Sequence, residues 1–242
     1  MSHKLDELNW MEFKELVPKK IQTVILPVGT VEAHGVINLG TDTHIPIKIS
    51  EMIADDLKAI LAPPIYYGVT RTLYSYPGSL TVKSETFEAY MTELLESLTD
   101  KGFSQIVVIN GHGGNVNELD KAGLKINQTK KAKVAIVHWW IFCEDITKEL
   151  YDQPGGHGGV DETAAILALD RKLVKKERYK REMAFIDQKG LRVYPGPATI
   201  FLSPEGEGYP DFDEKKAKLF LKRCSDKIKK SLLDIFKRWK RI

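Results

Sequence analysis

Apolar residues in this chain alternate between short unbroken runs and longer stretches with helical spacing. Thr23-Val24-Ile25-Leu26-Pro27-Val28 is a continuous aliphatic run, the pattern of a strand buried on both faces. Gln105-Ile106-Val107-Val108-Ile109 reads as the clearest central strand, and Val134 to His138 as another. Ala62 to Tyr67 reads as a further strand weakened by its two prolines. Helical patterns lie between these runs. Asn9 caps a helix through Glu12 to Leu16, with Glu12 at the N3 position of a capping box. Residues from about His44 to Ile60 place Ile45, Ile49, Ile53 and Leu57 on one face. Ser84 to Lys101 is amphipathic and stops at Gly102. Helices from about Val116 to Thr129 and from Asp161 to Leu169 complete the series, while residues 186–212, rich in Gly and Pro, read as ordered irregular structure.

Strands alternating with helices imply an α/β fold, a mainly parallel sheet flanked by helices on both faces. The 242 residues contain no internal repeat, low-complexity stretch or dividing linker, so residues 1–242 are read as a single domain. The net charge of +3 conceals an asymmetry. From Asp213 to Ile242 there are 12 Lys and Arg against 4 Asp and Glu, and in the remainder 24 against 29. Such a basic tail can signal nucleic acid or anionic lipid. Here Ala217, Phe220, Leu221, Cys224, Ile228, Leu232, Ile235 and Trp239 form one apolar stripe at helical spacing, which predicts a helix docked on the body with its lysines in water. Neither nucleic acid nor membrane is therefore expected as a partner, though Trp239 also suits an oligomer contact.

The remaining composition excludes several classes. Hydrophobic and charged fractions of 43% and 29% are ordinary for a globular protein, and no apolar run reaches the ~18–20 residues needed to span a bilayer. Met1-Ser2-His3-Lys4-Leu5-Asp6-Glu7 lacks an apolar leader core. Cys143 and Cys224 are isolated, which argues against a disulfide framework or thiolate zinc site and fits a reducing cytoplasm.

Chemistry concentrates where strands end. Val28-Gly29-Thr30-Val31-Glu32-Ala33-His34-Gly35, with Thr41-Asp42 behind it, leaves the first strand; Asn110-Gly111-His112-Gly113-Gly114-Asn115 leaves the central one. In parallel sheets ligands bind outside the carboxyl ends of the strands, so adjacent strands would bring Glu32, His34, Asp42 and His112 together. Two carboxylates and two imidazoles suit zinc, manganese or iron. Singly, each has a structural reading: Glu32 a surface carboxylate, His34 and His112 loop residues, Asp42 a helix cap. The glycine-rich turn lacks the Lys-Ser/Thr of a phosphate-binding loop. A third segment, Gly155-Gly156-His157-Gly158-Gly159-Val160-Asp161-Glu162-Thr163, adds His157 as a candidate general acid. Its Glu162 either completes a metal shell or favours a helix N-terminus.

Five ordered motifs then resemble the creatininase (creatinine amidohydrolase) family: Leu26 to Gly35, Gly40-Thr41-Asp42, Tyr76-Pro77-Gly78-Ser79, Asn110 to Asn115 and His157 to Thr163, over residues 5–225. The resemblance implies an α/β domain, a centre of two divalent metal ions, hydrolysis of a C–N bond in a small cyclic or linear amide, and a homo-oligomer, often a hexamer. It implies that Glu32 and His112 hold one ion, His34 the other, and that Asp42 bridges them. His157 matches the family's proton-transfer histidine; Glu162 matches the glutamate of its final motif, a further ligand or a base. Relatives in the family also include iron-dependent formamide deformylases of flavin and deazaflavin biosynthesis and peptidases that trim a peptide-derived redox cofactor. A non-catalytic metal-binding assembly subunit is the reading outside enzymes. Two departures stand out. Creatininase carries a carboxylate two residues beyond the histidine of its Asn-Gly-His motif, where this chain has Gly114, and Asp152-Gln153-Pro154-Gly155-Gly156 lacks the tryptophan that closes over creatinine. Trp139 and Trp140 are candidates to line a pocket, or a core pair at a strand end.

Overall fold

Four parallel strands, β1 (Thr23–Val28), β2 (Ala59–Leu61), β3 (Gln105–Asn110) and β4 (Lys133–His138), form the main sheet in the order β2-β1-β3-β4. The computed structural model describes residues 3–130 and 132–241; Met1 and Ser2 of the leader reading and Ile242 of the basic tail lie outside the described residues. Six helices complete the framework: α1 (Trp10–Leu16), α2 (Thr41–Leu57), α3 (Ser84–Asp100), α4 (Val116–Lys130), α7 (Val160–Leu169) and α8 (Glu214–Trp239). Two short ones, α5 (Trp139–Phe142) and α6 (Glu144–Tyr151), follow β4.

Alternation along the strands sorts the core into two layers. Ile25, Val107 and Ile109 pack with α2, α7 and α8, whereas Val24, Leu26, Val28, Ile106 and Val108 pack with α3 and α4. Both faces of β1 and β3 are therefore covered, which is why those two strands are apolar along almost their whole length. Growth of the sheet reverses between β1 and β3, where Val28 stands opposite Asn110. That reversal leaves a crevice at the strands' carboxyl ends.

The capping box at Asn9 forms as predicted: its side chain accepts from Met11 and Glu12 N–H groups, and Glu12 accepts from the Asn9 N–H at 2.9 Å. Two boundaries differ from the sequence reading. The helix expected over His44 to Ile60 is α2, Thr41–Leu57, ended by Lys58 in the left-handed region. Its expected last turn is instead β2, because Ala59, Ile60 and Leu61 find partners on β1. The strand expected over Ala62 to Tyr67 does not form: Pro63 and Pro64 have no N–H to donate, and only Ile65 keeps a bridge to Val28. Within and beside residues 186–212, β5 (Ala184–Ile186) and β6 (Ile200–Leu202) form a small parallel pair that spacing did not reveal.

Helix α8 docks as its stripe predicts, burying Ala217, Phe220, Leu221, Cys224, Ile228 and Leu232. Each large apolar side chain so buried contributes ~1.5–3 kcal/mol. Trp239 stacks on Phe236 at 5.5 Å. The charge asymmetry is partly internal: Lys227 pairs with Asp145 at 2.6 Å and Lys229 with Asp56 at 3.0 Å, carboxylates of α6 and α2. These exposed pairs contribute ~0–1 kcal/mol each, so the stripe rather than the lysines holds the helix. Among the described residues no helix is long and apolar enough to cross a membrane.

Candidate metal centre

Asp42 reaches the crevice through its backbone. Gly40, not Asp42, is the N-cap of α2, and Asp42 lies in the helix's first turn. Pro46, four residues on, has no N–H to donate to the Asp42 carbonyl. That carbonyl packs against the ends of β1 and β3 so closely that a Cβ at Gly29 or Gly111 would lie 2.3 or 2.0 Å from its oxygen. No larger residue fits there, which accounts for a glycine after each strand. The loop after β1 is held from the other side, where Ser79 Oγ accepts from the Ala33 N–H and the Leu80 N–H donates to Val31. Residues Tyr76 to Ser79 thus buttress Glu32 and His34.

The six singled-out side chains converge. Asp42 Oδ1 stands 2.8 Å from His34 Nε2, and Asp42 Oδ2 stands 2.8 Å from His112 Nδ1. Glu162 Oε2 is 3.7 Å from His34 Nε2, and Glu32 Oε2 is 3.6 Å from His112 Nδ1 and 3.8 Å from His157 Nδ1. Each ring spends its other nitrogen on a backbone carbonyl: His34 Nδ1 on Glu32 (2.8 Å), His112 Nε2 on Val69 (3.0 Å), His157 Nε2 on Ala33 (2.8 Å). A carbonyl only accepts, so those nitrogens carry the hydrogens. The opposite nitrogens face the carboxylates, and on His34 and His112 they would give up a proton to offer a lone pair to a cation, the orientation that suits imidazoles to metal. His34 Nε2 and Asp42 Oδ2 are buried, and neither makes a well-formed hydrogen bond despite a neighbour at 2.8 Å. Two groups with all ligand atoms within 4.8 Å of one another share Asp42: Glu32, Asp42 and His112; and His34, Asp42 and Glu162. A third comprises Glu32, His34 and His157. Buried nitrogen and carboxylate oxygen atoms converging in this way would fit two cations, with Asp42 a member of both ligand groups.

Electrostatics say the same. Burial opposes charge on His34 and His112, yet the carboxylates, Asp42 foremost, outweigh it and push the imidazoles up to about 10 and about 9. Asp42, buried but between two imidazoles, is held well below the usual carboxylate range. Burial pushes Glu162 up to about 8 and raises Glu32 as well. His157 is driven down to about 3 by burial and by the neighbouring His34. The cluster therefore takes up positive charge on its inner atoms and keeps its rim histidine neutral.

The Gly114 departure has a steric reason. A Cβ there would lie 1.9 Å from the Val69 carbonyl oxygen and 2.5 Å from His112 Nε2, the two atoms of the bond that orients His112. The segment is fixed further by Asn115, which accepts from the Val69 N–H and donates to Gly29. Arg71 donates to the Gly114 carbonyl and to Glu118, both at 2.9 Å. Glu162 enters from α7, opposite, where its carboxylate accepts from the Gly158 N–H at 2.6 Å. We expect Gly114→Ala to weaken metal binding by about 10–100-fold, the usual cost of disturbing a ligand's orienting partner. Metal titration would check this; unchanged affinity would show that Val69 does not orient His112.

Two cavities meet at the cluster and share His112, Gly113, Gly155, Gly156 and His157 in their walls. The larger, about 570 Å³, runs past Arg71 and Phe201 to the loop after β5; the smaller, about 300 Å³, runs past Trp140 and Glu162. The tryptophan pair divides: Trp139 is buried in the core with its ring 6.4 Å from Phe220, and Trp140 lines the smaller cavity. Sequence reasoning missed Val69, which acts through a carbonyl and leaves no side-chain signature. It also missed Arg71, which lies outside every quoted motif. Asp161 lay inside a quoted motif; it caps the loop carrying His157 by accepting from the Gly156 N–H at 3.0 Å.

The sequence model of the creatininase family, described as creatinine amidohydrolase, matches residues 6–232. Creatinine amidohydrolase of Pseudomonas putida is 28% identical over 193 residues, 71% of this chain and 74% of that protein. A mycofactocin precursor peptide peptidase of Mycolicibacterium smegmatis is 34% identical over 109 residues, 42% of this chain and 44% of the relative. A solved creatinine amidohydrolase superposes with a TM-score of 0.83 over 97% of this chain and 98% of its own, at 24% identity. Creatininase structures described as a manganese form and as a Zn-Zn type give TM-scores of 0.82 and 0.80 at 24% and 22% identity, each covering 98% of this chain and 99% of theirs. At these identities the likeness to solved structures speaks for the fold.

Proposed function

This chain belongs to the creatininase family, and on that premise we propose that it is a metal-dependent hydrolase of amide C–N bonds. The observation that carries the reading is the pair of ligand groups sharing Asp42, each imidazole held by a backbone carbonyl. Glu32 and His112 would hold one ion, His34 and Glu162 the other, and Asp42 both. Glu162 thereby takes the place of the carboxylate missing at Gly114. Manganese, zinc and iron all suit this donor set. Two such ions supply Lewis acidity for the amide carbonyl and bring a water's pKa toward neutrality.

The chain's own groups handle orientation and protons. His157 is neutral at physiological pH, with its Nε2–H fixed on Ala33 and its Nδ1 lone pair facing the cluster. Nδ1 is the atom to take a proton from the attacking water and return it to the departing nitrogen. Glu32, 3.8 Å away, stabilises the imidazolium formed between those transfers. Gly156 and Gly158, tied to Asp161 and Glu162, hold the histidine at the junction of both cavities.

The test is a screen of creatinine, other cyclic amides, formamides and short peptides with metal-replete protein, reading released amine or carboxylate. Hydrolysis of at least one class, abolished by chelation and restored by Mn²⁺, Zn²⁺ or Fe²⁺, is the expected result. Glu162→Gln should lose one ion of two and on the order of 10²-fold or more in kcat/KM. Two tightly bound ions in that variant would remove Glu162 from the ligand set.

A further inference from the structure

The two cavities are unlike in size and charge, and both end at the same atoms. The larger exceeds what a single small ring such as creatinine needs, and lies within the ~300–1,000 Å³ of sites for drug-sized ligands. Its wall carries two guanidinium groups. Arg71 is immobilised beside the cluster by the Gly114 carbonyl and Glu118. Arg192 sits on the loop between β5 and β6; among the described residues its one polar contact is the neighbouring Leu191 carbonyl at 3.4 Å, and it pairs with no carboxylate there. Asp187 shares the wall without pairing to it. Arg192 lies on an exposed stretch whose far end is held: the Gly196 N–H donates to Thr72 at 2.8 Å, Tyr76 donates to the Gly196 carbonyl, and the Phe201 N–H of β6 donates to the His157 carbonyl at 2.8 Å. Opposite, the smaller cavity presents the Trp140 ring beside Gly113.

We propose that the substrate is an elongated, linear amide that spans both cavities, its anionic end facing Arg192 and Arg71 in the larger and a flat or apolar part against Trp140 in the smaller. This rests on the hydrolase reading above and narrows its substrate class. A linear amide crossing the junction puts an internal C–N bond at the cluster. Hydrolysis breaks that bond, adds the water oxygen to the acyl carbon and delivers a proton to the departing nitrogen. Arg192 is a specificity residue: it meets the end of the substrate, not the reacting atoms.

Succinanilate and butyranilide share an anilide bond and differ by a terminal carboxylate in place of a methyl group. With metal-replete protein, kcat/KM for succinanilate should exceed that for butyranilide at least tenfold, chiefly through KM. In Arg192→Glu the ratio should fall to about one or below, and in Arg192→Lys most of it should remain. Calorimetric binding of succinanilate, to metal-free and metal-replete protein alike, should weaken in Arg192→Glu by a similar factor. Equal ratios in wild type and Arg192→Glu, or creatinine preferred over both anilides, would overturn the proposal. Failure to hydrolyse any amide would count against the hydrolase reading, and the calorimetric comparison would still decide for or against an anion site at Arg192.

Discussion

Asp42→Ala is expected to empty the centre of both ions and to lower kcat/KM by on the order of 10³-fold or more, while the protein stays folded. The reason is geometric, since each carboxylate oxygen stands 2.8 Å from a different imidazole and the residue belongs to both ligand groups. Neither neighbour stands as close: Glu32 is 3.6 Å from His112 and Glu162 3.7 Å from His34. Without Asp42 the two histidines lose the charge that keeps them protonated and stay neutral, so the loss falls on cation binding rather than on the fold. Elemental analysis of the purified variant checks this; two ions per chain would disprove the bridging role. His34→Ala should retain one ion, held by Glu32, Asp42 and His112, and lose activity.

The second large effect couples metal, pH and stability. His34 and His112 are raised from 6.5 to about 10 and about 9 in the folded protein without bound cations. A base whose pKa is higher folded than unfolded contributes stability that is fully present below its unfolded value and lost as pH rises through its folded value. The chelated protein should therefore lose stability between about pH 6.5 and 10, by on the order of several kcal/mol given that one pKa unit corresponds to about 1.4 kcal/mol. Glu162, raised to about 8, acts in the same direction over its lower window, from its ordinary 4.5 upward. Cations held by His34 and His112 would take the place of those protons, so metal uptake should release protons and the decline should vanish. Thermal denaturation of chelated and reconstituted protein from pH 6 to 10 reads this directly. Parallel curves for the two forms would show that His34 and His112 do not exchange protons for metal.

Much of this was legible in the sequence. Continuous apolar runs marked β1 and β3, which are covered on both faces and have no room for alternation, and also β4, an edge strand half-buried along most of its length. The stripe from Ala217 to Trp239 marked α8, and Asn9 with Glu12 marked the start of α1. The boundary between α2 and β2 was not legible, because Ala59, Ile60 and Leu61 suit either state and only pairing with β1 decides between them. The pair β5 and β6 was equally hidden, as three-residue strands leave no period to read.

At the site, the sequence by itself determined which groups meet. Residues after adjacent parallel strands emerge on one edge, and glycines at 29 and 111 mark where the backbone closes in. Only the tertiary structure decided how they meet. Glu162 faces His34 because α7 packs across the crevice from β3, and a Cβ at position 114 would run into the Val69 carbonyl that orients His112. Trp140 faces a cavity while Trp139 is in the core, a division that depends on a helical turn after β4. Ligand identity follows from residue type and order along the chain. Ligand orientation follows from backbone carbonyls of residues distant in sequence, which have no side-chain signature to read.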